Sequence, residues 1–181
     1  TRKQLLIAFD LYCQIPFGKL HSRNTKIIKY ANLIDRTPSA LAMKLSNIAS
    51  LDPEITSTGR KGLKGASAAD KLQNNWEDFA AESYQAISSI DADARFSDEQ
   101  SSEAQVDYAG IDKITVTKTR IGQGFFRKAV LSAYNYRCSI TGLSIPKLLV
   151  ASHIIPWRED VANRLNPRNG LALSMLHDKA F

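Results

Sequence analysis

Apolar positions follow a helical period through the first half of the chain and shift to short β-branched runs near its end. Residues 4–13 (Gln-Leu-Leu-Ile-Ala-Phe-Asp-Leu-Tyr-Cys) form a mostly apolar helical run, ended by Pro16 and Gly18. Asn24 or Thr25 is placed to cap a second helix through Ile34, with Ile27, Ile28, Ala31 and Ile34 along one face. Thr37 before Pro38 predicts the start of a third. Threonine accepts from an early N–H, and proline at the first helical position lacks an N–H that would have no helical partner anyway. That helix, 39–50, carries Leu41, Leu45 and Ile48 at core spacing. Gly59 to Gly65 reads as a flexible basic loop, and Ser67 with Asp70 as a capping box for a helix over 68–89 bearing Leu72, Trp76, Phe79 and Tyr84. Periodicity then disappears over 91–112, where Asp, Glu, Ser and Gln dominate, as in a linker.

After Lys113 the pattern is mixed. Ile114-Thr115-Val116-Thr117 predicts a short strand, and 125–136 a helix with Phe126, Val130, Leu131 and Tyr134 inward. Thr141-Gly142 marks a turn, 147–155 a strand, 166–170 a second turn, 171–174 a second strand, and Met175 the start of a helix. The fold class expected is α+β: a helical domain over 1–90, an acidic linker over 91–112, and a strand–strand–helix domain over 113–181.

Charge sharpens this division. The net charge is +6, which favours an anionic partner without specifying one. Residues 1–95 hold 13 basic and 10 acidic groups, residues 96–112 hold 5 acidic and none basic, and residues 113–181 hold 11 basic against 3 acidic. The phosphate-facing surface is therefore expected in the last third. No apolar run approaches the ~20 residues of a membrane helix, so no membrane partner is expected. Cys13 and Cys138 form no Cys-x-x-Cys pair, as expected for reduced thiols in a cytoplasmic protein.

Three polar residues punctuate the strand–strand–helix unit: His153 at the end of the first strand, Asn169 opening the second, and His177 in the helix. Phosphodiester hydrolysis needs a base to activate water and a cation to stabilise charge on the phosphate. Imidazole suits the first task because its ordinary pKa is near neutrality, and a second imidazole on a facing helix can hold the cation. An Asn amide can hydrogen-bond across the hairpin and orient the base.

The surrounding segments are Phe126-Arg127-Lys128-Ala129-Val130-Leu131, Tyr136-Arg137-Cys138-Ser139-Ile140-Thr141-Gly142-Leu143, Ala151-Ser152-His153-Ile154-Ile155-Pro156-Trp157, 163–173, and His177-Asp178-Lys179-Ala180-Phe181. In that order, over 120–181, they resemble the HNH (ββα-metal) endonuclease family, in its bacterial restriction-type and phage-defence branch. The resemblance implies that His153 is the general base, that Asn169 braces the hairpin and the base, and that His177 ligates a divalent metal, Mg²⁺ first. Ser152 occupies the position of a second metal ligand and is a poor one. Arg127 and Lys128 are expected to meet DNA phosphate, with Arg164 and Arg168. Zinc-bearing members use two Cys pairs near the hairpin, so with Cys138 alone no structural zinc is expected. Relatives usually continue Phe-Asp-x-Gly after the position matching Phe181, so the HNH domain is expected to be C-terminally truncated here.

Residues 25–50 also read as a helix-turn-helix, with Arg36, Ser39 and Lys44 toward DNA. The plainer alternative is a helical hairpin in a small bundle. Together these expectations describe a metal-dependent DNA endonuclease, dimeric if it cuts both strands. The alternative is a DNA-binding module with a degenerate, inactive HNH hairpin.

Overall fold

A computed structural model describes residues 1–50, 75–91 and 113–180. The elements are α1 (Arg2–Gln14), α2 (Thr25–Leu33), α3 (Pro38–Ala49), α4 (Trp76–Ser88), α5 (Lys113–Ala133), β1 (Leu149–His153), β2 (Gly170–Ser174) and α6 (Met175–Asp178). The Gly59–Gly65 loop, the capping box at Ser67 and Asp70, and nearly all of the acidic linker lie outside the described residues.

The first three helices start where capping chemistry places them. Thr1 and Gln4 form a capping box on α1. The Asn24 side chain accepts from Lys26 N and Ile27 N, and Thr37 Oγ1 accepts from Ala40 N. Between α2 and α3, Asp35 takes φ 53°. This left-handed conformation is tolerable for Asp, and it lets Arg36 N reach back to Ala31 O at 2.9 Å and close the helix. Leu41, Leu45 and Ile48 are buried, as their spacing predicts.

Helix α5 joins the helices to the hairpin, and two consecutive phenylalanines serve its two sides. Phe125 stacks on Trp76 of α4 at 5.8 Å and meets Phe79 edge-on at 5.4 Å. Phe126 faces the hairpin, where its ring stacks on His153. Residues 114–117, expected as a strand, lie within α5 instead. A β-branched run carries only a few tenths of a kcal/mol per residue against helix, which tertiary context overrides. The helix ends at Ala133, earlier than expected, because Asn135 and Tyr136 both adopt positive φ, 53° and 55°, and Tyr136 N turns back to Leu131 O.

β1 and β2 pair antiparallel, with Leu149 opposite Ser174, Ala151 opposite Ala172 and His153 opposite Gly170. Cross-strand partners share a face, so these six residues line one side. That side lies on α5: a Cβ on Gly170 would come 2.3 Å from Val130 Cγ2 and 2.8 Å from Phe126 Cζ. Gly170 therefore sets how closely the helix approaches the hairpin. Gly170→Ala is expected to lower unfolding free energy by about 1–3 kcal/mol, because Val130 is stiff at χ1 and cannot swing aside. Urea denaturation checks this, and an unchanged midpoint would contradict the close approach.

Candidate active site

His153 ends β1 in a slot between two aromatic rings. Phe126 lies parallel to it at 4.1 Å and 5°, and Trp157 stands edge-on at 5.4 Å and 88°. Its Nε2 lies 2.7 Å from the carbonyl oxygen of Arg164. A carbonyl only accepts, so Nε2 carries the proton, and in neutral imidazole Nδ1 is left with the lone pair. The residue is half-buried, and the hydrogen bond to Arg164 leaves Nδ1 unengaged.

Asn169 closes the loop that returns from β1 to β2. Its backbone carbonyl accepts from Ile154 N at 2.9 Å. Its Oδ1 accepts from Ile155 N at 2.8 Å, and its Nδ2 donates to Ile155 O at 3.1 Å. The side chain is buried and satisfies both polar groups of one backbone residue, two positions past His153.

His177 lies in the first turn of α6. Ser174 caps that helix, its Oγ accepting from His177 N at 3.4 Å, and the same oxygen lies 2.7 Å from His177 Nδ1. Nδ1 is thus engaged within the protein, and Nε2 is the nitrogen left to face a ligand. Ser174 is itself held from below, where its backbone N–H donates to Cys138 Sγ at 3.3 Å.

Cys138 anchors a tight turn beside β2, with Gly142 N bonded to Cys138 O and Ser139 N to Ala172 O. Burial opposes ionisation of its thiol. The Thr141 hydroxyl and the N–H groups of Thr141, Ile140 and Ser174 outweigh burial and bring the pKa from 9.0 to about 6. A folded-state pKa below the unfolded one stabilises the fold above the unfolded pKa, and that stability is lost as pH falls through the folded value. Unfolding free energy is therefore expected to rise from pH 6 to 9 in the wild type, more than in Cys138→Ser. Equal pH slopes for the two proteins would contradict it.

No hydrogen bond or ring contact joins the two imidazoles. Ser152 pairs with Leu171 on the hairpin face opposite His153. Among the described residues, no group of three or more His, Cys, Asp or Glu is arranged to hold a metal ion.

Residues 138–181 match the family model described as HNH endonuclease. The HNH match covers less than half of the chain and includes His153, Asn169, His177, Ser174 and Cys138; α4 and α5 lie outside it. No curated protein matches, and no solved structure matches.

The expected DNA-facing residues are dispersed. Arg127 Nη2 donates to Pro146 O at 3.4 Å. Lys128 lies near enough to Lys26 to help lower that lysine's pKa, after partial desolvation and before Lys29, with Asp10 opposing. Arg168 is exposed on the turn before β2. Arg164 lies over the Trp157 ring at 5.2 Å and pairs with Glu77 at 3.3 Å. Arg36 and Lys44, apart from the hairpin, line a cavity of about 380 Å³ between α1 and α3, and Ser39 is exposed at the start of α3. Sequence reasoning missed Phe126 as the ring beneath His153, the Arg164 carbonyl, and Ser174. Only Ser174 left a signal, a serine three residues ahead of a helical histidine.

Proposed function

We propose that the chain is a metal-dependent DNA endonuclease of the HNH type, acting in the cytoplasm in restriction or phage defence. The observation that carries this reading is the His153 imidazole, whose Nε2–H is held by the Arg164 carbonyl so that Nδ1 presents a lone pair. Nδ1 takes a proton from water, the water oxygen bonds to phosphorus, and the phosphorus–oxygen bond of the leaving strand breaks, its electron pair going to the leaving oxygen, which takes a proton from solvent. The imidazolium so formed keeps its hydrogen bond to Arg164 O, which strengthens as the ring gains charge.

His177 would offer a divalent ion one oriented nitrogen, Nε2, and water and phosphate oxygens would have to supply the rest of its shell, since no three-ligand group stands among the described residues. When bound, such an ion, Mg²⁺ first, would stabilise charge on the phosphate and the leaving oxygen. Asn169 keeps the loop behind His153 closed. Arg127, Lys128 and Arg168 meet backbone phosphate, and the α2–α3 pair, through Arg36, Ser39 and Lys44, supplies a second DNA contact of helix-turn-helix type. One such site cuts one strand, so cleavage of both calls for a homodimer.

A second reading, a DNA-binding module with an inactive hairpin, draws on Ser152 and on the lack of a three-ligand group among the described residues. Supercoiled plasmid separates the two. With Mg²⁺ or Mn²⁺ the nuclease produces nicked circles, and chelation abolishes them; plasmid binding without nicking supports the module.

A further inference from the structure

The carbonyl that sets the proton on His153 belongs to Arg164, 11 residues further along the chain, in the loop between the strands. A carbonyl on a loop defines a hydrogen bond only as well as the loop itself is held, so what holds Arg164 decides how well the base is oriented. Three contacts do so. Asn169 closes the base of the loop through Ile154 and Ile155. Leu165 presses on α5, where a Cβ on Gly122 would meet Leu165 Cδ1 at 2.7 Å. The Arg164 guanidinium reaches out of the hairpin to Glu77, in the first turn of α4, while lying over Trp157, the ring edge-on to His153.

The Glu77 contact matters because apolar packing does not complete this junction. A half-open pocket of about 280 Å³ lies here, lined by Asn75, Trp76 and Glu77 from one side and by Val161, Ala162, Arg164 and Leu165 from the other. Across it the Arg164 Nη2–Glu77 Oε2 contact, an ion pair and long hydrogen bond at 3.3 Å, is the polar tie between α4 and the loop found among the described residues. The neighbouring Trp76 stacks on Phe125, and the next residue of α5, Phe126, stacks on His153. The first turn of α4 therefore meets the base from two sides, by a ring path through α5 and by a charge path through Arg164.

We infer that Glu77 is a positioning residue for the nuclease base: through Arg164 it fixes the carbonyl that holds His153 in its Nε2–H form. Arg164 then serves the loop rather than the DNA. The helical part of the chain thereby takes part in catalysis, although it lies outside the segment that matches the HNH family. This inference rests on the nuclease reading for its kinetics and not for its geometry.

The test uses the full chain with Glu77→Gln and Glu77→Lys, each compared with wild type by thermal melting. Partly exposed pairs contribute up to ~1 kcal/mol, so Glu77→Gln is expected to lower kcat for plasmid nicking about 2- to 5-fold, and Glu77→Lys further, with KM within about 2-fold. In ¹⁵N spectra of the imidazoles, His153 is expected to shift from a fixed Nε2–H tautomer toward the average of the two forms. That readout holds even if wild type nicks nothing, an outcome that would sink the nuclease reading alone. Unchanged His153 signals in both variants would overturn the inference. So would a lower KM at unchanged kcat, the result expected if Arg164, once released from Glu77, were a DNA contact. Should Glu77→Lys melt early, Glu77→Gln decides.

Discussion

Replacing His153 with alanine is expected to lower the nicking rate by at least about 100-fold while leaving DNA affinity within about 2-fold. Positioned general bases contribute roughly 10²- to 10⁴-fold, and among the described residues no group in contact with His153 can substitute. Its two ring neighbours, Phe126 and Trp157, have no basic nitrogen. DNA affinity should survive because it comes from lysine and arginine contacts to phosphate. Some stability is lost too, about 1 kcal/mol, as Phe126 gives up a stacked partner. His21→Ala, in an exposed loop, is the matched control and should nick at the wild-type rate. Equal nicking by the His153 and His21 variants would remove His153 from the chemistry.

Asn169→Asp is expected to cost about 3 kcal/mol of stability and most of the activity, although it changes one atom. The Asn169 side chain donates to Ile155 O and accepts from Ile155 N. A carboxylate can only accept, so one oxygen would face the Ile155 carbonyl in a buried place, with charge added. Burial beside an acceptor favours the protonated acid, which can donate to Ile155 O. The folded-state pKa of the new Asp should therefore lie above its unfolded value, and the deficit against wild type should shrink as pH falls toward about 4. Urea melts of both proteins from pH 4 to 8 measure it. A deficit that stays constant, or widens at low pH, would mean the Asn169 amide does not serve both Ile155 groups.

How much of this was readable beforehand depended on whether each feature is local. Helices α1 to α3 were legible because caps and apolar period lie within a dozen residues of one another; Asn24, Thr37 and Pro38 act on their own helix. β1 and β2 were legible from short apolar runs between turn residues. The start of α5 was not. Ile114 to Val116 carry a strand preference that a long helix, packed on both the bundle and the hairpin, overrides.

The candidate site divides the same way. His153, Asn169 and His177 stood out as candidates because side-chain chemistry is carried by residue type. The partner of His153 Nε2 is a backbone carbonyl, which every residue possesses, so nothing marked Arg164 for that task. Arg164 was legible as a positive charge, but its pairing with Glu77 spans 87 positions and arises only when α4 meets the loop. Phe126 read as core, which it is; that its ring lies on an imidazole follows from the register that brings His153 opposite Gly170.

In the proposed reaction His153 and His177 serve one scissile phosphate, one as base and the other as ligand. The most direct measurement is a crystal structure of the chain with a DNA duplex and Mn²⁺, read in anomalous density. An Mn²⁺ ion is expected on His177 Nε2 and a phosphate oxygen, with His153 Nδ1 facing a water in line with the same phosphorus. Manganese bound elsewhere, or a phosphate within reach of only one of the two rings, would contradict it.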